Sequence, residues 1–169
     1  MVAVSLRGGA AAEAISRLNT VMDPEVPVLS IVELGIVRSV DASGASVTVT
    51  ITPTYSGCPA MRVIEEEIVA ALRAGGFEQV EIKTVYAPAW TTDWMSDSAR
   101  EKLRAYGIAP PGPTSAEQLV PLGRTVKSVA CPFCGSVNTT LQSEFGPTAC
   151  KSLHACHGCR QPFEQFKAF

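Results

Sequence analysis

Apolar positions along the N-terminal part of the chain change their spacing several times, and each spacing predicts a type of secondary structure. Residues 10–22 carry apolar side chains at the spacing of an amphipathic helix, and an Asp-Pro pair ends that pattern. Residues 35–40 and 45–51 are rich in β-branched side chains and flank a loop of turn-forming residues at 41–44. We therefore expect a helix followed by a β-hairpin.

The next segments continue this alternation of helix and strand. A run with apolar residues on one helical face opens at Pro59 and closes at the glycine pair 75–76. Residues 79–86 alternate as in a half-buried strand, and residues 96–106 predict a short helix with a serine N-cap, with Gly107 just past its end. The order α-β-β-α-β-α predicts an α/β fold of the α+β kind, with helices packed on a small mixed sheet.

Prolines separate this region from the rest of the chain. Four of them lie between residues 108 and 123, where no hydrophobic period is visible. We interpret 108–123 as a linker, or as an arm that lies against the domain. The length of 169 residues allows a first domain at 1–107 and a small lobe at 124–169.

Composition and charge exclude several classes of protein. With 46% hydrophobic and 18% charged residues, the chain has the composition of an ordinary globular protein. The N-terminus lacks the pattern of a secretory signal and no apolar run has membrane-spanning length, so we expect a cytoplasmic protein without a membrane partner. The net charge is −2 and no basic stripe is present, which argues against a nucleic-acid partner.

Cysteine spacing gives the strongest chemical signal. Five of the six cysteines lie in the last 39 residues, and four of them form two Cys-x-x-Cys hooks separated by 21 residues. Such hooks can place four thiolates around one ion, and the gap accommodates a strand, a turn and a returning strand, as in a zinc ribbon. The sequence therefore predicts zinc or an iron-sulfur cluster, either of which accepts four thiolates, at Cys131, Cys134, Cys156 and Cys159. A purely structural ion that holds the lobe together is the simplest interpretation.

Other residues of the tail leave alternatives open. Gly135 follows the first hook and Gly158 lies inside the second, where backbone angles closed to other residues would turn N–H groups toward the thiolates. Cys150 is either a buried apolar residue, or an additional ligand that exchanges with another or joins an iron-sulfur centre. His154 and His157 are further candidate ligands, although partly exposed ribbon side chains are the more usual outcome.

Cys58 is the single cysteine of the first domain. It precedes a proline at the predicted start of a helix, where the helix dipole and free N–H groups would lower the pKa of the thiol and make it a better metal ligand or nucleophile. The alternative is a small capping residue packed under the loop. Hydroxyl groups of Thr52, Thr54, Tyr55 and Ser56 would surround a thiolate here, or would simply form the turn.

Two further pairs of residues are candidates for the same region. Asp23 and Glu25 follow the first helix and would place two carboxylates near a site, or would terminate the helix and stay solvated. Trp90 and Trp94 share one side if their segment is helical, or form an exposed patch for a partner if it is a loop. We expect at least one tryptophan to pack in the core.

Three segments together resemble a known family. They are DPEVPVLSIVELG at residues 23–35, TPTYSGCPAM at 52–61 and APAWTTDW at 87–94, and they resemble the iron-sulfur assembly and targeting factors that include SufT. With the cysteine-rich tail, which contains CPFCGS, FGPTACK and CHGCRQPFEQFK, the chain resembles the PaaD family, associated with the phenylacetyl-CoA ring epoxidase, over nearly its whole length.

The resemblance implies an accessory protein of aerobic phenylacetate breakdown in bacteria. Its expected partners are the di-iron hydroxylase and reductase subunits of the oxygenase complex, or a second copy in a homodimer. The implied role is the delivery of iron or an iron-sulfur cluster, held transiently at Cys58 with Asp23, Glu25, Thr52 and Thr54 nearby. The metal of the tail, the oligomeric state and the permanence of the subunit in the complex stay open.

The sequence contains neither a Glu-x-x-His pair on a helix nor a Gly-x-Gly-x-x-Gly loop. We therefore expect no catalytic residues for oxygen activation and no nicotinamide site. The alternatives are a thiol redox protein that uses a Cys-x-x-Cys hook, and a zinc ribbon that binds nucleic acid or protein.

Overall fold

The structure is a computed structural model of the chain in which residues 4–55, 57–112 and 128–169 are described. The chain divides into two compact units, Met1–Ala99 and Arg100–Phe169. Each unit contains one four-stranded sheet, and both sheets mix parallel and antiparallel pairs. The predicted combination of a small mixed sheet with helices and a β-rich C-terminal lobe is confirmed.

The first unit packs two helices on its sheet. The strands follow the spatial order β1-β2-β3-β4, in which β1 and β2 are parallel, β2 and β3 are antiparallel, and β3 and β4 are parallel. Leu18, Val40 and Ile68 are fully buried in the core. The elements are β1 (Ser5–Arg7), α1 (Ala11–Leu18), β2 (Val37–Ser43), β3 (Ser46–Ile51), α2 (Ala60–Ala74), β4 (Gln79–Thr84) and α3 (Asp97–Tyr106), the last of which continues into the second unit.

Several boundaries differ from the sequence prediction. Helix α1 ends at Leu18 rather than continuing to residue 22, because the side chains of Asn19 and Thr20 bond back to the carbonyls of Ile15 (3.0 Å) and Arg17 (2.7 Å). The short strand β1 was missed, because its three residues are all exposed and too few to show an alternating pattern.

The hairpin turns later than predicted. Asp41 and Ser43 lie inside β2, where they pair with Thr48 and Ser46, and the turn falls at residues 44–45. Polar residues at alternating positions here mark the exposed side of a strand rather than a loop. Helix α3 agrees closely with the prediction, since Ser96 Oγ accepts the N–H of Ala99 at 3.0 Å and Gly107 follows with φ of +93°.

The second unit contains the cysteine-rich lobe. Its strands are β5 (Ile108–Ala109), β6 (Thr139–Ser143), β7 (Lys151–Cys156) and β8 (Pro162–Phe166), in the spatial order β5-β8-β7-β6. Strand β5 lies inside the stretch interpreted as a linker and pairs in parallel with β8; residues 113–127, which include most of that stretch, are not among the described residues. Of the helices in the described residues, none has the length and apolar character needed to cross a membrane.

Candidate functional site

Three loops of the first unit meet at one edge of its sheet. Val37, at the start of β2, pairs with Ile51, at the end of β3, and Thr84, at the end of β4, is also paired with Ile51. The loop before β2 therefore ends at the edge of the sheet where the loops after β3 and β4 begin. We call this region the loop edge; it comprises residues 19–36, 52–59 and 85–96.

Hydrogen bonds join these loops to one another. The N–H of Thr52 donates to the carbonyl of Ile36 at 2.9 Å, which fixes the second loop beside the first. The buried indole N–H of Trp90 donates to the carbonyl of Leu34 at 3.0 Å, which fixes the third loop to the first. The three segments that carry the resemblance to iron-sulfur assembly factors are thus held at one place by backbone topology and by direct hydrogen bonds between the loops.

Asp23 organises the first loop. Its side chain is buried, and Oδ1 accepts the N–H groups of Glu25 at 2.9 Å and Val26 at 2.8 Å. Its own N–H donates to the carbonyl of Leu29 at 2.9 Å, which closes the loop. The alternative that Asp23 is a solvated helix terminator is therefore wrong, because α1 has ended earlier and the carboxylate shapes a separate turn. Glu25 is half-buried.

The second loop contains the solitary thiol. Cys58 is half-buried and forms a tight turn, with its N–H donating to the carbonyl of Tyr55 and its carbonyl accepting the N–H of Met61, both at 3.3 Å. Helix α2 begins at Ala60, so Cys58 lies just before the N-cap residue Pro59. Among the described residues, no side chain caps this helix.

Two threonines of the same loop differ in their surroundings. Thr54 is half-buried, whereas Thr52 is 1% exposed. Among the described residues, the Oγ1 atom of Thr52 has no hydrogen-bond partner. A buried hydroxyl without a partner costs about 1–3 kcal/mol, so this atom lowers the stability of the loop. Ser56 lies outside the described residues.

The two tryptophans of the third loop have separate positions. Trp90 is buried, as expected for at least one of the pair, while Trp94 ends a short 3-10 turn (Thr92–Trp94) and is half-buried. The guanidinium of Arg38 lies 3.6 Å from the centroid of the Trp94 ring, a cation–π contact. The tryptophans therefore fix the loop edge and do not form the alternative exposed patch.

The four cysteines of the two hooks converge in the second unit. Their four sulfur atoms all lie within 4.8 Å of one another, with 3.7 Å between Cys131 and Cys159 and 3.6 Å between Cys134 and Cys156. Cys131 and Cys156 are buried together with Ala109 and Phe163, Cys159 is half-buried, and Cys134 is exposed. One side of the cluster is thus core and the other side reaches the surface.

Both hooks use the same backbone geometry. In each, the N–H of the first cysteine donates to the carbonyl five residues later, at 2.9 Å in residues 131–136 and 3.0 Å in residues 156–161. Gly135 has the expected positive φ of +75°. The equivalent residue of the second hook is Arg160, with φ of +62°, so the expectation of special backbone angles at Gly158 is wrong. Gly158 is instead closely packed, because a Cβ there would lie 3.0 Å from the Cβ of Ser136, just after the first hook.

The sulfurs shift the acid–base properties of one another. The N–H of Cys159, 3.5 Å from Sγ of Cys156, is the main influence that lowers the pKa of Cys156 to about 6. The N–H of Gln161 acts to lower the pKa of Cys159, but burial and the neighbouring sulfurs outweigh it and raise that pKa to about 12. A divalent cation bound by the cluster would supply the positive charge that favours thiolate ligands.

The donor set fits a metal. Four thiolates around zinc at about 2.3 Å give sulfur–sulfur distances of about 3.8 Å in a regular tetrahedron, close to the shortest distances in the cluster. The four cysteines are suited to zinc or to an iron-sulfur centre.

The remaining candidate ligands of the tail lie outside this group. Cys150 is buried with its Sγ 3.1 Å from Oγ1 of Thr148, so its role as a ligand stays a prediction. His154 is buried and stacked on Phe163, and burial lowers its pKa. His157 is exposed, with Nε2 3.2 Å from a threonine hydroxyl of β6.

Comparisons with known proteins agree with both halves of this arrangement. A family model described as iron-sulfur cluster assembly protein matches residues 11–85, and one described as the PaaD zinc beta ribbon domain matches residues 115–167. The crystal structure of a domain of unknown function, DUF59, from Bacillus anthracis superposes with a TM-score of 0.51 and 29% identity, over 54% of this chain and 89% of that one.

Two relatives extend the comparison to sequences. A protein of Escherichia coli (strain K12), provisionally named as one of the subunits of 1,2-phenylacetyl-CoA epoxidase, is 49% identical over 150 residues, which are 89% of this chain and 88% of the relative. An Fe-S protein maturation auxiliary factor of Porphyromonas gingivalis (strain ATCC BAA-308 / W83) is 36% identical over 91 residues, which are 53% of this chain and 86% of the relative.

Fold and site together define a class of protein in which an iron-sulfur assembly domain is followed by a four-cysteine ribbon. Within that class the match to the Escherichia coli relative extends across both units at high identity. The chain belongs to the PaaD family, which includes this Escherichia coli protein named as a subunit of the phenylacetyl-CoA epoxidase.

Proposed function

We propose that this chain is an accessory protein that helps to assemble or deliver iron, or an iron-sulfur cluster, for a phenylacetyl-CoA epoxidase complex. It has no catalytic activity of its own in this role, and its partners are the di-iron hydroxylase and reductase subunits. The names of the Escherichia coli relative and of the maturation factors support the two parts of this proposal. The observation that carries it is the meeting of three loops, with their thiol, carboxylate and hydroxyl groups, at one edge of the sheet.

A single protein thiolate suits transient holding of the cargo. Iron and iron-sulfur clusters accept cysteine thiolates, and a cargo held by Cys58 alone keeps open positions at which a partner's ligands can bind before Cys58 leaves. Asp23 keeps its loop in place, and Glu25 in the same turn adds a hard oxygen donor of the kind that iron also accepts. Thr52 and Thr54 supply hydroxyl groups that can donate hydrogen bonds to the cargo.

The C-terminal lobe has a different role in this proposal. At residues 124–169 a closed set of four thiolates holds one ion and stabilises a small sheet that presents a docking surface to the oxygenase subunits. A thiol redox protein would need a free dithiol, and a stoichiometric ion at Cys131, Cys134, Cys156 and Cys159 leaves none. Elemental analysis of anaerobically purified protein, with an absorption spectrum, distinguishes zinc from a coloured cluster.

The substitution Cys58→Ala tests the proposal. Cys58 is half-buried, and its bonds to Tyr55 and Met61 are made by the backbone. We therefore expect the variant to fold and to keep the metal of the tail. We expect the iron content of the hydroxylase, purified from cells that make the variant as their only copy, to fall several-fold. Cys150→Ala, which removes a cysteine that is not in the four-sulfur cluster, is the control. Unchanged iron content with Cys58→Ala would contradict the proposal.

A further inference from the structure

Strand β4 forms an exposed edge of the first sheet. Among the described residues it pairs with β3 alone. Its side chains alternate: Gln79, Glu81 and Lys83 are exposed, while Val80, Ile82 and Thr84 are half-buried. An edge of this kind is a template for pairing with another strand, and proteins usually block it with charge, proline or a covering segment.

The backbone of β4 directs alternate residues toward its free side. At one end, the N–H of Gln79 donates to the carbonyl of Ala45, just before β3, at 3.1 Å. At the other end, the N–H of Val85, just after β4, donates to the carbonyl of Ile51 at 2.9 Å. Because the direction of the backbone groups alternates along a strand, the even-numbered residues point their N–H and C=O groups away from β3. The free edge therefore presents backbone donors and acceptors at Val80, Ile82 and Thr84.

The charges of this edge are of both signs and are placed symmetrically. Glu81 and Lys83 lie on either side of Ile82, with 3.4 Å between Nζ and Oε2, and their side chains are 60% and 56% exposed. On the other face of the strand, Val80 and Ile82 border a shallow groove with Val69 of α2. An edge with charges of one sign would repel a second copy of itself, whereas this edge is complementary to its own copy.

We propose that a second copy of this chain pairs with β4 in antiparallel orientation, about a two-fold axis through Ile82, and joins the two sheets into one. In this register Glu81 faces Lys83 of the second copy, and Lys83 faces its Glu81. The backbone groups of Ile82 bond to the same residue of the copy, and those of Val80 bond to Thr84 of the copy, which gives about six hydrogen bonds. Ile82 and Val80 extend the groove, which Glu65 and Glu66 also line, across the axis.

Charge selects this register over its neighbours. Moving the axis to Glu81 or to Lys83 keeps the backbone bonds possible but places two like charges opposite each other, which is destabilising. Moving the axis to a point between two residues places side chains of opposite sheet faces next to each other. A single strand pair buries less than the roughly 1,200 Å² of a stable interface, so the dimer is expected to form at concentrations on the order of tens of micromolar.

The test uses the full chain with its bound metal in sedimentation equilibrium over a concentration series. The wild-type mass should rise with concentration from 17.9 kDa toward twice that value. Lys83→Glu places two pairs of carboxylates opposite each other and should weaken association by roughly tenfold or more. Lys83→Gln, which removes the charge without reversing it, should have a smaller effect. Adding Glu81→Lys to Lys83→Glu should restore the dimer.

Arg104→Glu, on an exposed residue of α3, changes the net charge equally and should leave association unchanged. Circular dichroism establishes that each variant is folded. A wild-type protein that stays monomeric at about 200 μM, as it would if the edge served a different protein, overturns the proposal. So does a dimer that Lys83→Glu weakens no more than Arg104→Glu, or a charge-swapped variant that fails to dimerise.

Discussion

The chain places cysteine in a four-sulfur cluster and as a single thiol, and under the proposed function this difference separates holding a metal from passing one on. In the second unit four sulfur atoms lie within 4.8 Å of one another and two of them are buried in the core. At the loop edge of the first unit a single half-buried thiol lies on one of three loops, which also carry carboxylate and hydroxyl side chains. A complete set of protein ligands retains its ion, whereas one ligand leaves positions at which a second protein can compete.

The two arrangements also arise differently along the chain. Each hook of the ribbon brings two ligands together within a single turn, and one strand hairpin then joins the two hooks. The loop edge gathers its groups from three loops that are distant in sequence and adjacent only because β2, β3 and β4 meet there. A substitution in the ribbon should therefore act by weakening metal binding. A substitution at the loop edge should act by weakening the bonds between its loops.

The largest effect is expected from Cys156→Ser, which removes a buried ligand. Structural zinc contributes about 10–16 kcal/mol of apparent binding free energy in small zinc-dependent domains, so loss of the ion should unfold the ribbon. We expect elemental analysis to find no stoichiometric metal, and hydrogen exchange to show loss of protection in residues 128–169 but not in the first sheet. Cys150→Ala should keep the metal. If the Cys156 variant kept its metal and its protection from hydrogen exchange, the ribbon would not depend on a complete set of four ligands.

A smaller effect is expected from Trp90→Phe at the loop edge. The aromatic ring remains, but the buried carbonyl of Leu34 loses its donor, which should lower the free energy of unfolding of the first unit by about 1–3 kcal/mol. Urea denaturation measures this loss, and the metal content should stay unchanged. Trp94→Phe, which weakens only the contact with Arg38, is the control with the smaller expected effect. Equal effects would show that the bond between the loops is unimportant.

The smallest effect, and the one of opposite sign, is expected from Arg160→Gly. Arg160 has φ of +62°, where a side chain costs roughly 1 kcal/mol relative to glycine. The substitution should raise the stability of the ribbon by about that amount, measured as slower loss of metal to a chelator. Gly135→Ala, at the equivalent place in the first hook, should have the reverse effect. A faster loss of metal from the Arg160 variant would contradict the equivalence of the hooks.

Features set by short-range interactions were predictable from the sequence. The N-cap at Ser96, the glycine after α3 and the two Cys-x-x-Cys hooks each depend on neighbouring residues, and the structure has them as expected. Aligning the hooks by their cysteines would also have identified Arg160 as the partner of Gly135. That comparison within the chain was the missed signal.

Features that depend on competing interactions were not predictable in the same way. The early end of α1 depends on two side chains that bond to the preceding turn, in a segment whose apolar spacing still fits a helix. Likewise, β1 is recognisable only from its pairing with β2. The burial of Asp23 required the three-dimensional course of the loop, because an aspartate before a proline is equally suited to solvent.

The hydroxyl of Thr52 has a consequence for the stability of the loop edge. Its side chain is already separated from water, and the described residues offer Oγ1 no substitute partner. Burying a hydroxyl without a hydrogen bond is unfavourable, whereas a methyl group of similar size carries no such penalty. Valine at this position should therefore make the loop edge more stable than threonine does.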